Sequence, residues 1–243
     1  MQICHNQLVK FLLLHIKIVL KDILYSVSGL PTFEKFATLK LKRIIYFSIS
    51  NKFMSKGRVE AFSDGVFAIL ITIMVLELHA PEGNTFEALK PLLPKFMSYV
   101  LSFIYLGIYW NNHHHMFQVV QHVNGKVLWR NIFLLFCLSL VPFVTAWMGE
   151  NHFSPSTVAL YGIILFMCGM AYYFLLHALI QLHGKDSLLA TSIGNDFKGI
   201  ISVVIYAVGI LLTFINSWIS LALYCCVAII WFIPDKRIEK RLE

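Results

Sequence analysis

The 243-residue chain is 58% hydrophobic and only 14% charged, with a mean hydropathy of +0.72. Soluble globular chains carry roughly 25% charged residues, so this composition excludes a soluble domain with a single anchor and describes one integral membrane domain. The formal net charge of +7 sits before the first strong apolar segment. Residues 1–57 hold nine Lys/Arg against Asp22 and Glu34, and residues 58–243 hold eleven of each sign. No basic domain exists to hold a duplex, so nucleic acid is excluded as a partner, and the lipid bilayer is the expected surroundings.

Residues 1–57 form a basic extension. Leu8 to Leu24 is apolar but interrupted by Lys10, His15, Lys17, Lys21 and Asp22, which reads as an interfacial amphipathic helix or an unstructured stretch, not a span. It lacks the small-residue cleavage site of a signal peptide. A basic segment beside a span is expected on the cytoplasmic side, against anionic lipid.

Six apolar segments follow, at about 60–79, 96–116, 128–148, 156–181, 197–215 and 217–233. Pro81, Gly83, Pro91 and Pro94 separate the first two. Asn124-Gly125 ends the second, Gly149 to Pro155 the third and Gly184 to Asn195 the fourth, and Asn216-Ser217 parts the last pair. These are helix stoppers and polar turn residues. Long apolar segments in lipid must be helices, because an open strand edge would leave backbone groups unpaired. The expected fold is therefore all-α, with a channel-like helical domain over 58–233 and a basic tail over 234–243. Lys126 with Arg130 and the tail's Lys236, Arg237, Lys240 and Arg241 lie on the side of the basic extension, while the Glu150 loop has no basic residue. The Lys/Arg rule then puts both termini in the cytoplasm.

The first segment opens with Arg58, Glu60 and Asp64. Ionisable residues at membrane depth are costly and usually serve a function. At 100° per residue, Arg58, Phe62, Ile69, Thr72, Ile73 and Leu76 share one stripe, and Ser63 and Asp64 lie on the opposite side. Ser63 and Asp64 are expected to face other helices, where partners offset their burial. The stripe fits a pore wall, but a lipid-facing or core surface would have the same composition, and Asp64 alone would suit a proton relay.

In the second segment, Tyr105, Tyr109, Trp110, Asn111, Asn112 and His113 to His115 form a polar aromatic end. Trp110 shares a face with His113 and His114. Consecutive imidazoles diverge by 100°, so the three cannot hold one ion without a second helix. Structural hydrogen bonding, pH sensing and metal binding all stay open for them. The five cysteines show no disulfide framework and no zinc spacing, and we expect no metal or cofactor. No nucleophile elbow or metalloprotease pattern is present, so no enzyme is indicated.

The run Arg58-x-x-x-Phe62-Ser63-Asp64 closely resembles the signature of the transmembrane protein 175 family. The resemblance continues through Gly65 to Leu78, through Gly107-Ile108-Tyr109-Trp110 with His113-His114, and through Leu140-Val141-Pro142-Phe143 with Gly149-Glu150. It covers about 58–233 and leaves the first 57 residues unmatched. What it implies is a potassium-permeable channel of the plasma membrane, with six helices per chain and four chains around a pore lined by the first helix. Position by position, it implies a hydrophobic constriction at Ile69 and Leu76 and a pore-facing hydroxyl at Thr72, beside Ile73. It also implies that Arg58, Phe62, Ser63 and Asp64 pin the pore helix, with Trp110 and His113 or His114 as partners. The permeant ion would be K+, and the partner would be a further copy of the chain. The alternative from the residues alone is a proton-coupled secondary transporter using Asp64 and the histidines.

Overall fold

The structure, a computed structural model, describes residues 54–194 and 196–232. The basic extension up to residue 53 and the tail from 233 lie outside the described residues. The regular structure of the described residues is helical apart from one two-residue antiparallel bridge, in which β1 (Met54–Ser55) pairs with β2 (His122–Val123).

Helix α1 (Lys56–Leu76) follows β1 directly. At 1.5 Å per residue its 21 residues extend about 32 Å, enough for the hydrocarbon core. It starts two residues before the Arg58 motif. Lys56 has a specific role there, since its Nζ donates to the carbonyls of Phe117 at 2.8 Å and Gln118 at 3.0 Å. Those carbonyls belong to the last turn of the second long helix, where orphan acceptors and the negative dipole end favour a cation.

A 3-10 turn, Phe86–Leu92, then leads into α2 (Leu93–Gln118). Pro94 falls at the start of α2, where its missing N–H costs nothing. Helices α3 (Gly125–Ser139) and α4 (Val141–Glu150) occupy the single segment expected at 128–148. They form one 26-residue apolar unit broken at Leu140. The break follows from Pro142, which has no N–H for the Leu138 carbonyl and whose ring crowds the preceding turn.

Helix α5 (Pro155–His183) is the centre of the bundle, with thirteen buried residues. Helices α3, α4, α7 (Phe197–Leu212) and α8 (Ser217–Phe232) pack around it. The short α6 (Leu188–Ile193) lies in the α5–α7 connection. At Gly162 of α5 an added Cβ would overlap the Tyr224 ring of α8, so these helices meet at van der Waals distance only because the position is bare. Polar side chains bridge helices in this interior. Ser102 meets Thr145 at 2.6 Å and Tyr161 at 3.0 Å, and Thr213 meets Ser220 at 3.0 Å. Small hydroxyl residues hold membrane helices together in this way.

Four of the helical units are long and apolar enough to cross a membrane: α1, the 3-10 turn with α2, α3 with α4, and α5. Helices α7 and α8 are apolar with 16 residues each, about 24 Å long, which is short of the roughly 30 Å hydrocarbon thickness.

Candidate functional site

Helix α1 packs on α2, α3 and α4 through Val59, Ser63, Phe67, Leu70 and Met74, its five buried residues. Their spacing of three and four residues makes one stripe. The other side is open. Phe62 is 59% exposed, Ile69 57% and Leu76 70%, and Arg58, Thr72 and Ile73 are exposed with them. The stripe drawn from the sequence is therefore one contiguous face that no part of the described chain covers.

The covered face contains a hydrogen-bond relay through three helices. Ser63 Oγ donates to its own turn at Val59 O, 2.8 Å. It accepts from Asn131 Nδ2 of α3 at 2.9 Å, and Asn131 Oδ1 lies 2.8 Å from His113 Nε2 of α2. Because the amide oxygen can only accept, His113 carries its proton on Nε2, a tautomer assigned by the network. All three side chains are buried. The His113 ring is wedged between Phe67, edge-on at 5.7 Å, and Phe117, stacked at 4.5 Å. An unpaired polar group in this place would cost about 1–3 kcal/mol, so the relay fixes the rotation of α1 about its axis.

Asp64 is half-buried at the edge of this face and accepts from Trp110 Nε1 at 3.0 Å. The Trp110 ring stacks on His114 at 5.9 Å, and His114 Nε2 meets Gln118 at 2.7 Å. The three consecutive histidines thus diverge. His113 joins the relay and His114 supports Trp110, while the buried Nδ1 of His115 has no hydrogen-bond partner among the described residues. Among the described residues, no group of three or more His, Cys, Asp and Glu is arranged to hold a metal ion.

Arg58 and Phe62 are not brought into the relay. They lie on the open face, and among the described residues Arg58 has no ion pair. Thr72 Oγ1 donates back to Ala68 O at 2.9 Å and Ile69 O at 3.0 Å. With its proton used inside the helix, the hydroxyl turns oxygen lone pairs outward, the arrangement that suits a cation.

Sequence reasoning missed Asn131 and Lys56. A lone Asn inside the apolar run 127–138 was the available signal for the first. Nothing marked Lys56 among its basic neighbours.

Comparison with known proteins gives a consistent result. The family model described as the endosomal/lysosomal potassium channel TMEM175 matches residues 58–142. A potassium channel of Chryseobacterium sp. strain P1-3 is 54% identical over 190 residues, which is 78% of this chain and 99% of that protein. The endosomal/lysosomal proton channel TMEM175 of Gallus gallus is 28% identical over 151 residues, 56% of this chain and 30% of that one. The crystal structure of a lysosomal potassium-selective channel TMEM175 homolog from Chamaesiphon minutus superposes with a TM-score of 0.64 at 29% identity, covering 74% of this chain and 97% of that one.

Proposed function

The chain belongs to the TMEM175 family, a family of channels and not of enzymes, and from that premise we propose that it is a passive potassium-permeable channel whose pore is lined by α1 from four copies of the chain. The observation that carries this reading is the division of α1 into a covered face and an open one. An apolar membrane helix held at a fixed rotation by a buried relay, with an uncovered stripe of Phe62, Ile69, Thr72, Ile73 and Leu76, is suited to meet copies of itself around an axis. Closed rotational symmetry then repeats each stripe residue as a ring.

In this reading Ile69 and Leu76 form the hydrophobic constrictions. A narrow apolar ring excludes water and so blocks a hydrated ion until it widens. The Thr72 oxygens, one turn from Ile69, supply partial ligation to an ion that has shed water at the ring, and Ile73 completes the wall. The chain has no Thr-Val-Gly-Tyr-Gly loop, so selectivity rests on the size and wetting of these rings and not on carbonyl oxygens. The membrane potential supplies the drive, at about 2.3 kcal/mol per charge per 100 mV. Arg58 and Phe62, exposed at the head of the stripe, contact the neighbouring subunit. The shorter α7 and α8 add two further spans where the bilayer thins locally to match them, giving six, with both termini in the cytoplasm of a cell whose plasma membrane holds the channel.

A proton-coupled transporter would need Asp64 to exchange protons with an aqueous path. Asp64 is instead engaged by Trp110 on the side away from the stripe, which favours a pinning role. Reversal potentials of the reconstituted protein under opposed potassium and sodium gradients test the proposal. A channel gives finite currents reversing toward the potassium equilibrium potential. Saturable flux driven by pH, without unitary currents, would refute it.

A further inference from the structure

The end of the bundle at which α1 finishes is acidic, although the chain as a whole carries +7. Glu77 of α1 and Glu150 of α4 come together there and line a small cleft between α1, α2 and α4. Lys95 of α2 lines it too, with its Nζ 2.9 Å from Glu150 Oε1. The cleft thus holds two carboxylates and one ammonium, and it stays net negative whichever acid the lysine meets. The segments that join helices at this end are 77–95, 149–155 and 212–217. They contain Glu77, Glu82, Glu87 and Glu150 against Lys90 and Lys95, four acids to two lysines, or −2 per chain.

Glu77 is the acid on α1 itself. It directly follows Leu76, it is the C-cap residue of the helix, and it is exposed. The last carbonyls of a helix carry partial negative charge, so an acid here works against the helix dipole and a lysine would suit the helix better. Breaking a local rule in this way is typical of a functional position. The carboxylate and the α1 carbonyls add to one negative potential, which lies directly beyond Leu76 and about 12 Å along the helix from Ile69. Repeated around an axis it becomes a ring, and rings of acids are how cation pores gather their ions. Such a potential extends over about 30 Å in 0.01 M salt and about 3 Å in 1 M salt. It therefore fills the mouth in dilute salt and is confined to the carboxylates in concentrated salt.

We propose that Glu77 draws potassium ions into the mouth of the pore at the Leu76 end and so raises the rate at which they enter. It is a positioning residue, acting through local ion concentration on the apolar rings, which themselves offer an approaching ion nothing. This rests on the reading that α1 lines the pore.

Unitary conductance of the full chain in planar bilayers is the test, in symmetric KCl at about 0.01 M and about 1 M. In dilute salt Glu77→Gln should lower the conductance about twofold or more. In concentrated salt the variant and the parent should agree, because screening has removed the difference. Glu77→Asp should keep most of the parent's conductance in dilute salt. Lys95→Gln, which takes the ammonium out of the cleft, should raise it. The thermal midpoint of Glu77→Gln should equal or exceed the parent's, since the helix loses an unfavourable charge. A purely structural Glu77 would lower the midpoint and would not tie the loss of current to salt. A parent without unitary current overturns the channel reading and this proposal with it. A normal parent current that Glu77→Gln leaves unchanged in dilute salt, or lowers equally at both concentrations, overturns this proposal alone.

Discussion

Helices α1 and α5 are almost equally apolar, yet they are used differently. Helix α5 has neighbours on several sides, and 44% of its most apolar window is buried; for α1 the share is 28%. The difference lies in polar placement. The covered side of α1 carries one small polar residue, Ser63, met by a partner from α3, and its edge carries Asp64, met by a partner from α2. The rest of its circumference has no mate among the described residues. Hydrophobicity puts both helices in the membrane, and a few hydrogen-bonding residues decide which side of α1 faces inward. Ser63 and Asp64 are the motif residues that find partners on neighbouring helices, while Arg58 and Phe62 lie on the open face with Ile69, Thr72, Ile73 and Leu76.

The contrast can be broken most severely at the relay. Asn131→Leu leaves the buried His113 Nε2–H without its acceptor, at about 1–3 kcal/mol, and removes the donor to Ser63, which keeps its bond to Val59 O. The thermal midpoint of the purified protein should fall by roughly 2–12 °C, and the size-exclusion peak of the proposed tetramer should shrink. Trp110→Phe removes only the donor to Asp64, so its loss of stability should be smaller. Changes on the open face should do the reverse. Thr72→Val should leave the midpoint unchanged and reduce potassium current several-fold, while Thr72→Ser should retain most of it. If Thr72→Val unfolds the protein and Asn131→Leu does not, the two faces have been interchanged.

The smallest effect is expected at the β1–β2 bridge. Burial, and then the neighbouring His183 imidazole at 4.7 Å, lowers the His122 pKa from its ordinary value of 6.5. The unfolded chain therefore takes up this proton first as pH falls. The stability His122 contributes is complete above about pH 6.5 and is lost as pH falls through the lowered folded value. Protection factors, corrected for the slower intrinsic exchange at low pH, should fall at Gln121 to Val123 between pH 7 and pH 5, and His183→Gln should reduce that fall.

Much of this was legible in the sequence because membrane helices announce themselves by length and composition. The apolar segments, the stripe from Phe62 to Leu76 and the inward turn of Ser63 all follow from periodicity alone. Trp110 was reachable as a partner through the family resemblance, and periodicity added only that it shares a helix face with His113 and His114. Asn131 was not, because it meets Ser63 across 68 residues of sequence and only packing of α3 on α1 brings the two together. Pro142 was visible, but whether it would break a helix or merely bend it depended on its neighbours. The separate fates of His113, His114 and His115 were set by what stands opposite each ring, which spacing does not encode.

The central claim is that the uncovered face of α1 forms the narrowest part of the conduction path. Planar-bilayer currents of Ile69→Asn, compared with the parent at equal amounts of assembled protein, test it most directly. A hydrated ring replacing an apolar one should raise the potassium current well above the parent's, with the thermal midpoint unchanged. A current equal to the parent's, from a protein that assembles normally, would mean that ions do not pass Ile69.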